Sequence, residues 1–97
     1  MLHGRLAAKP GKRDELLAIL EEMGRSEAMP GCRLYLVALD STDPDGVWVT
    51  EVWESEELHT ASLQLEQVKK QIARAMPILE TGGFKRQELD ARAGIPD

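Results

Sequence analysis

At the start of the chain apolar and polar residues alternate with a period of two. Leu2 and Leu6 share one side and His3 and Arg5 the other, which predicts a short strand over residues 1–8. Pro10-Gly11 ends it. From about residue 12 the period changes. Leu16, Leu20 and Met23 recur at helical spacing, Leu17 and Ile19 widen the stripe, and charges fill the remainder, so an amphipathic helix packed on a sheet is expected. Pro30-Gly31 marks the turn into a second strand, Cys32 to Leu39. The turn formers Asp40-Ser-Thr-Asp-Pro-Asp-Gly46 then lead to a third, Val47 to Glu54, and the pair should form an antiparallel hairpin.

Ser55 can cap the next helix, with Glu56 and Glu57 in its first turn, where carboxylates favour the positive end of the helix dipole. Leu58, Ala61, Leu65, Val68, Ile72, Ala75 and Leu79 follow a spacing of three and four, so one apolar face should run from residue 58 towards Pro77, with room for a kink or break near 64–67. Pro77 and Gly82-Gly83 are expected to close the helical region, and Phe84 to Leu89 to form the last strand. Residues 1–89 thus make one domain, and 90–97 a polar C-terminal tail. The order strand, helix, strand, strand, helix, strand is that of an α+β, ferredoxin-like fold, an antiparallel sheet with helices on one face. In the second strand Cys32, Leu34, Leu36 and Ala38 alternate with Tyr35, Val37 and Leu39; in the third, Val47, Val49 and Trp53 alternate with Trp48 and Val52. Both faces are apolar, and two helices cover one. The second face, expected to carry Tyr35 and Val37, should meet the sheet of an identical subunit in a homodimer.

Composition narrows the function. A chain of 97 residues builds only a modest core alone, which also favours oligomerisation. Seventeen acids against twelve bases give a net charge of −5, and the cluster Lys9, Lys12 and Arg13 reads as a solvated turn and helix start. No nucleic acid and no membrane surface is therefore expected as a partner. Neither a signal-peptide apolar run nor a segment of the ~18 apolar residues of a membrane span is present, so a cytoplasmic location is the expectation. Cys32, the single cysteine, reads as a small buried thiol. Two histidines and one cysteine without close ligand spacing make no metal motif, and glycine-rich dinucleotide or phosphate loops are missing. Ser26, Ser41, Ser55 and Ser62 lack a nucleophile-elbow context. The expected cofactor is none.

Candidate chemistry gathers where the third strand meets the following helix. Glu51, between Val49 and Trp53 on one strand face, should be partly buried. A buried carboxylate must be paired, either for proton chemistry or in a structural ion pair with Arg5 or Arg33. Trp53 offers an aromatic wall or a core ring. His59 can take and return a proton near neutrality, or simply be an exposed helix histidine. Ser62 lies one turn further along the same side of the helix.

The run Glu51-x-Trp53-x-Ser55-x-Glu57-x-His59 followed by Ser62-Leu63, taken with the turns Lys9-Pro-Gly-Lys12 and Met29-Pro-Gly-Cys32, resembles the antibiotic biosynthesis monooxygenase family and within it the quinol monooxygenase subgroup. The resemblance covers roughly residues 1–89. It implies a dimeric α/β barrel that oxidises a small aromatic such as a hydroquinone with dioxygen, using neither metal nor organic cofactor. His59 would then be the catalytic base and Glu51 its partner or substitute, with Trp53 and Ser62 binding substrate. Haem-degrading relatives carry an asparagine in the first strand, absent from Met1 to Ala8, and a histidine deeper in the later helix. Many other members carry their histidine where this chain has Ser62. The rival readings are a non-catalytic small-ligand-binding or regulatory dimer of the same fold, and a haem-binding protein.

Overall fold

The two periodicities resolve into β1 (Leu2–Ala8), α1 (Arg13–Gly24), β2 (Cys32–Leu39), β3 (Gly46–Trp53), α2 (Glu56–Ser62), α3 (Glu66–Ala75) and β4 (Leu79–Glu88), with a 3₁₀ turn at Met76–Ile78. These come from a computed structural model that describes residues 1–24 and 29–95; Ser26 and the end of the tail, residues 96–97, lie outside them. The sheet order is β2-β3-β1-β4, with every neighbouring pair antiparallel. This is the ferredoxin-like arrangement that the element order implies.

Leu16 of α1 and Val47 of β3 are fully buried at the centre of the core, joined by Ala8, Ile19, Leu20, Val49 and Ala75. Leu6, Tyr35 and Val37 pack against this cluster. The expectation for the second face is therefore corrected. Pairing Val37 with Val49 and Tyr35 with Glu51 sets both residues on the helix side. The face away from the helices instead carries Leu34, Leu36 and Ala38 opposite Val52, Thr50 and Trp48. Alternation in two apolar strands fixes which residues share a face, and only the seating of α1 on Val47 and Val49 decides which face is covered. Cys32 is a second correction. A register shift between Cys32 and Leu34 sets the cysteine opposite Trp53, off the face of Leu34.

The later helix breaks in two. The amides of Leu63, Gln64 and Leu65 donate to the carbonyls of Thr60, Ala61 and Ser62, a tightened run that changes the phase between α2 and α3. Ala61 and Ile72 of the expected apolar stripe are consequently exposed, and Ser62 and Gln71 are buried in their place. β4 starts at Leu79, five residues before Phe84 as expected from the glycines. Its pairing with β1 runs from Leu6 with Phe84 to Ala8 with Leu79, so residues 80–83 bulge opposite Ala7. Gly82, at φ 73°, supplies the left-handed conformation this bulge needs.

On the far face, Asp40 organises the turn before β3. It accepts from the Thr42 amide at 2.9 Å, from Trp48 Nε1 at 3.0 Å and from Arg5 Nε at 3.3 Å, and Arg5 also pairs with Asp43. His3 stacks on Trp48 at 5.0 Å and its Nδ1 lies 2.9 Å from the Thr50 hydroxyl. The Thr42 amide, then Trp48 and the Thr42 hydroxyl, hold the Asp40 carboxyl well below the usual carboxylate range; burial opposes them, and Arg5 adds the least. A lowered folded-state value contributes stability above the ordinary Asp pKa of about 3.9 that is lost as pH falls through the folded value. Neutral conditions keep it in full.

Tyr35 gives a cleaner titration, because it is the only tyrosine. Burial first, then the negative charge of Glu51, pushes its phenol above the ordinary range. The folded state therefore favours the protonated phenol. Its contribution is complete below the ordinary pKa of about 10 and is lost as pH rises through the folded value. Ultraviolet titration is expected to show no phenolate while the chain stays folded just above that pH. A phenolate signal preceding unfolding would contradict the packing.

Candidate functional site

Three short-range features pin the start of α2. Ser55, in an extended conformation, accepts the Leu58 amide at 3.2 Å on its hydroxyl, as the capping pattern predicts. The Glu54 amide donates to the Gly31 carbonyl at 2.8 Å, tying the end of β3 to the turn before β2. Leu58 then packs directly on Gly31, whose φ is 86°. His59 follows at once, so its place is set by the cap and by this contact.

Between α2, α3 and the sheet lies a cavity of about 650 Å³. Glu51, Trp53, His59 and Ser62 all line it, among apolar side chains that include Leu6, Leu20, Met23, Met29 and Val68. The four residues singled out from the sequence thus converge on one space. Trp53 Nε1 donates to Glu51 Oε1 at 3.0 Å. Neither arginine considered for Glu51 pairs with it, because Arg5 is taken up by Asp40 and Asp43, and Arg33 lies 3.5 Å from Glu54. The carboxylate therefore fixes the indole. The indole in turn meets His59 edge-on, with ring centroids 5.2 Å apart and planes at 61°.

Trp53 and His59, with Leu63 and Arg86, also line a second cleft of about 360 Å³, bounded by Met1, Leu2, Ser55 and Glu88. Trp53, His59, Leu63 and Arg86 thus border both the inner cavity and this outer cleft. Ser62, 4% exposed, donates its hydroxyl proton to the His59 carbonyl at 2.6 Å. It can offer a ligand only acceptor lone pairs. Burial and the charge of Glu51 both raise the Cys32 thiol, which keeps it protonated and a poor nucleophile.

Sequence reasoning missed three polar residues that line the cavity, Gln71, Glu80 and Arg86. Glu80 was hidden by the late start assigned to β4. Gln71 left a readable signal, since it stands three residues after Val68 and four before Ala75. A polar residue at core spacing in an amphipathic helix is the anomaly to look for. Among the described residues no three His, Cys, Asp or Glu side chains are grouped to hold a metal ion, and no helix is long and apolar enough to cross a membrane.

Comparison with protein families gives a match to the model described as antibiotic biosynthesis monooxygenase over residues 1–74. Among solved structures, one from Chloroflexus aurantiacus J-10-fl, with a provisional antibiotic biosynthesis monooxygenase name, is 42% identical. The match covers 97% of this chain and 95% of that one, with a TM-score of 0.78. A Deinococcus radiodurans structure with a provisional name of the same kind is 24% identical over 99% of this chain and 97% of its own, TM-score 0.75. A conserved Bacteroides thetaiotaomicron protein of unknown function, named as a possible oxidoreductase, is 18% identical over 89% of each chain, TM-score 0.77. The last two speak for the fold alone. Comparison with curated proteins returns no match.

Proposed function

Because this chain belongs to the antibiotic biosynthesis monooxygenase family, we propose that its inner cavity binds a small dihydroxy-aromatic such as a hydroquinone and oxidises it with dioxygen. The observation that carries this reading is the convergence of a base, His59, and a fixed aromatic wall, Trp53, on a largely apolar cavity of about 650 Å³. A deprotonated hydroquinone is electron-rich enough to reduce dioxygen itself. One oxygen atom enters the ring and the other leaves as water, with all four electrons drawn from the substrate, so hydroquinone plus dioxygen becomes a hydroxyquinone plus water. The protein's task is then to exclude bulk water, orient the ring and take the phenolic proton.

His59 is assigned as the base. It borders both spaces, so a proton accepted on the cavity side can leave through the outer cleft. Glu51 holds the Trp53 indole by its N–H and keeps the wall edge-on to the imidazole. Ser62 anchors the end of the first turn by bonding the His59 carbonyl, and its remaining lone pairs can accept from a substrate hydroxyl. Oxygen consumption with a panel of hydroquinones, metal chelator present, tests the reading. Uptake proportional to substrate supports it. Binding without uptake would favour a ligand-binding or regulatory protein of the same fold.

The reading includes a homodimer. Leu36, 54% exposed, lies with Leu34 and Ala38 on the sheet face opposite the helices, a surface suited to the equivalent sheet of a second copy. Sedimentation at micromolar concentration is expected to give about twice the monomer mass. A stable monomer would remove the barrel.

A further inference from the structure

Gln71 is a polar residue of the inner cavity whose chemistry the foregoing leaves unused. It lies on the inward face of α3 between Val68 and Ala75 and is 2% exposed. Both its Oε1 and its Nε2 are buried without a hydrogen-bond partner among the described residues. Native proteins rarely keep such a group, because a carboxamide taken from water and left unpaired opposes folding. A leucine at this position would complete the apolar face of α3. Gln71 lines the inner cavity, with its two amide atoms buried at the wall.

We infer that Gln71 is a ligand-recognising side chain that receives the second oxygen substituent of an aromatic whose first oxygen is held at His59. This rests on the reading of the cavity as a small-molecule site, though not on oxidation taking place there. A carboxamide suits such a ligand for a specific reason. It presents an acceptor and a donor side by side, so Oε1 takes the proton of a substrate hydroxyl while Nε2 donates to a product carbonyl. A carboxylate or an ammonium would match one redox state and oppose the other. The two polar contacts would come from different walls, His59 on α2 and Gln71 on α3, with apolar surface between them. The substrate class is thereby narrowed to flat aromatics with two oxygen substituents. A mono-oxygenated ring would leave the carboxamide unpaired.

The test compares the whole chain with Gln71→Leu in chemical-shift titrations under argon, using hydroquinone and, as its apolar counterpart, p-xylene. A thermal melt without ligand accompanies them. The variant is expected to bind hydroquinone about tenfold or more weakly, to bind p-xylene no less well than before, and to melt above the wild type. Equal loss of both probes would mean the cavity had merely changed shape, and would overturn the inference. So would unchanged hydroquinone binding combined with a lower melting temperature, since the amide would then be satisfied within the fold or by water. A wild-type chain that binds neither probe also overturns it. Selective loss of hydroquinone binding in a chain that consumes no oxygen would sustain the role of Gln71 and remove the oxidation reading alone.

Discussion

Replacing His59 by alanine is expected to lower hydroquinone turnover roughly 10²–10⁴-fold, the usual range for a lost general base, without changing the oligomeric state. The imidazole is not part of the buried core cluster, and α2 keeps its Ser55 cap and its Leu58 contact with Gly31. The loss should therefore fall on kcat. Trp53→Phe offers the contrast. It keeps an aromatic wall, removes the N–H that Glu51 holds, and should chiefly raise KM. A base that must begin neutral also loses activity as pH falls, so the wild-type profile should decline on the acid side. An active His59→Ala enzyme with an unchanged pH profile would move the assignment to Glu51 or to the acidity of the substrate itself.

Gly31→Ala is expected to cost about 2–4 kcal/mol in denaturant-melted stability, a large effect for adding one methyl group. Two independent costs combine. The residue has φ 86°, where a side chain is strained whatever the space around it, and a Cβ built there would lie 2.4 Å from Leu58 Cδ1 and 3.0 Å from Leu58 Cβ. Rotating the leucine relieves the first contact. It cannot relieve the second, which is fixed to the helix backbone, so α2 itself must shift. Turnover should consequently fall by more than the stability loss explains, because His59 is the next residue along. A Gly31→Ala, Leu58→Ala double variant should recover part of the stability. Stability unchanged by the single substitution would show that the β2 turn does not seat α2.

Much of this was legible in the chain because local chemistry and tertiary placement agree. Pro30-Gly31, the Asp40 to Gly46 run and the Ser55 cap each demand a particular backbone, and each has it. The convergence of Glu51, Trp53, His59 and Ser62 was also readable, since strand parity and one helical turn bring them to the same side. What could not be read was set by longer-range choices. Tyr35 and Val37 face the helices because α1 lies on Val47 and Val49, and an alternating pattern that is apolar on both faces carries no sign for that. Gly82 reads equally well as a helix stop or a strand bulge until the pairing with β1 is known. Gln71 was missed because Ile72, also three and four residues from Ala75 and Val68, was taken as the apolar position, whereas packing buries its polar neighbour.

That interruption also determines how such a molecule can diversify. His59 and the Ser55 cap lie before it, Gln71 and Val68 after it, so a residue gained or lost between α2 and α3 would swing one cavity wall as a lever and leave the proton-handling end untouched. The bulge at residues 80–83 gives a second adjustable wall of the same kind. On the proposed reading, substrate range and reaction type would be coded in separable segments. Swapping residues 63–83 between relatives should transfer the former while conserving the latter.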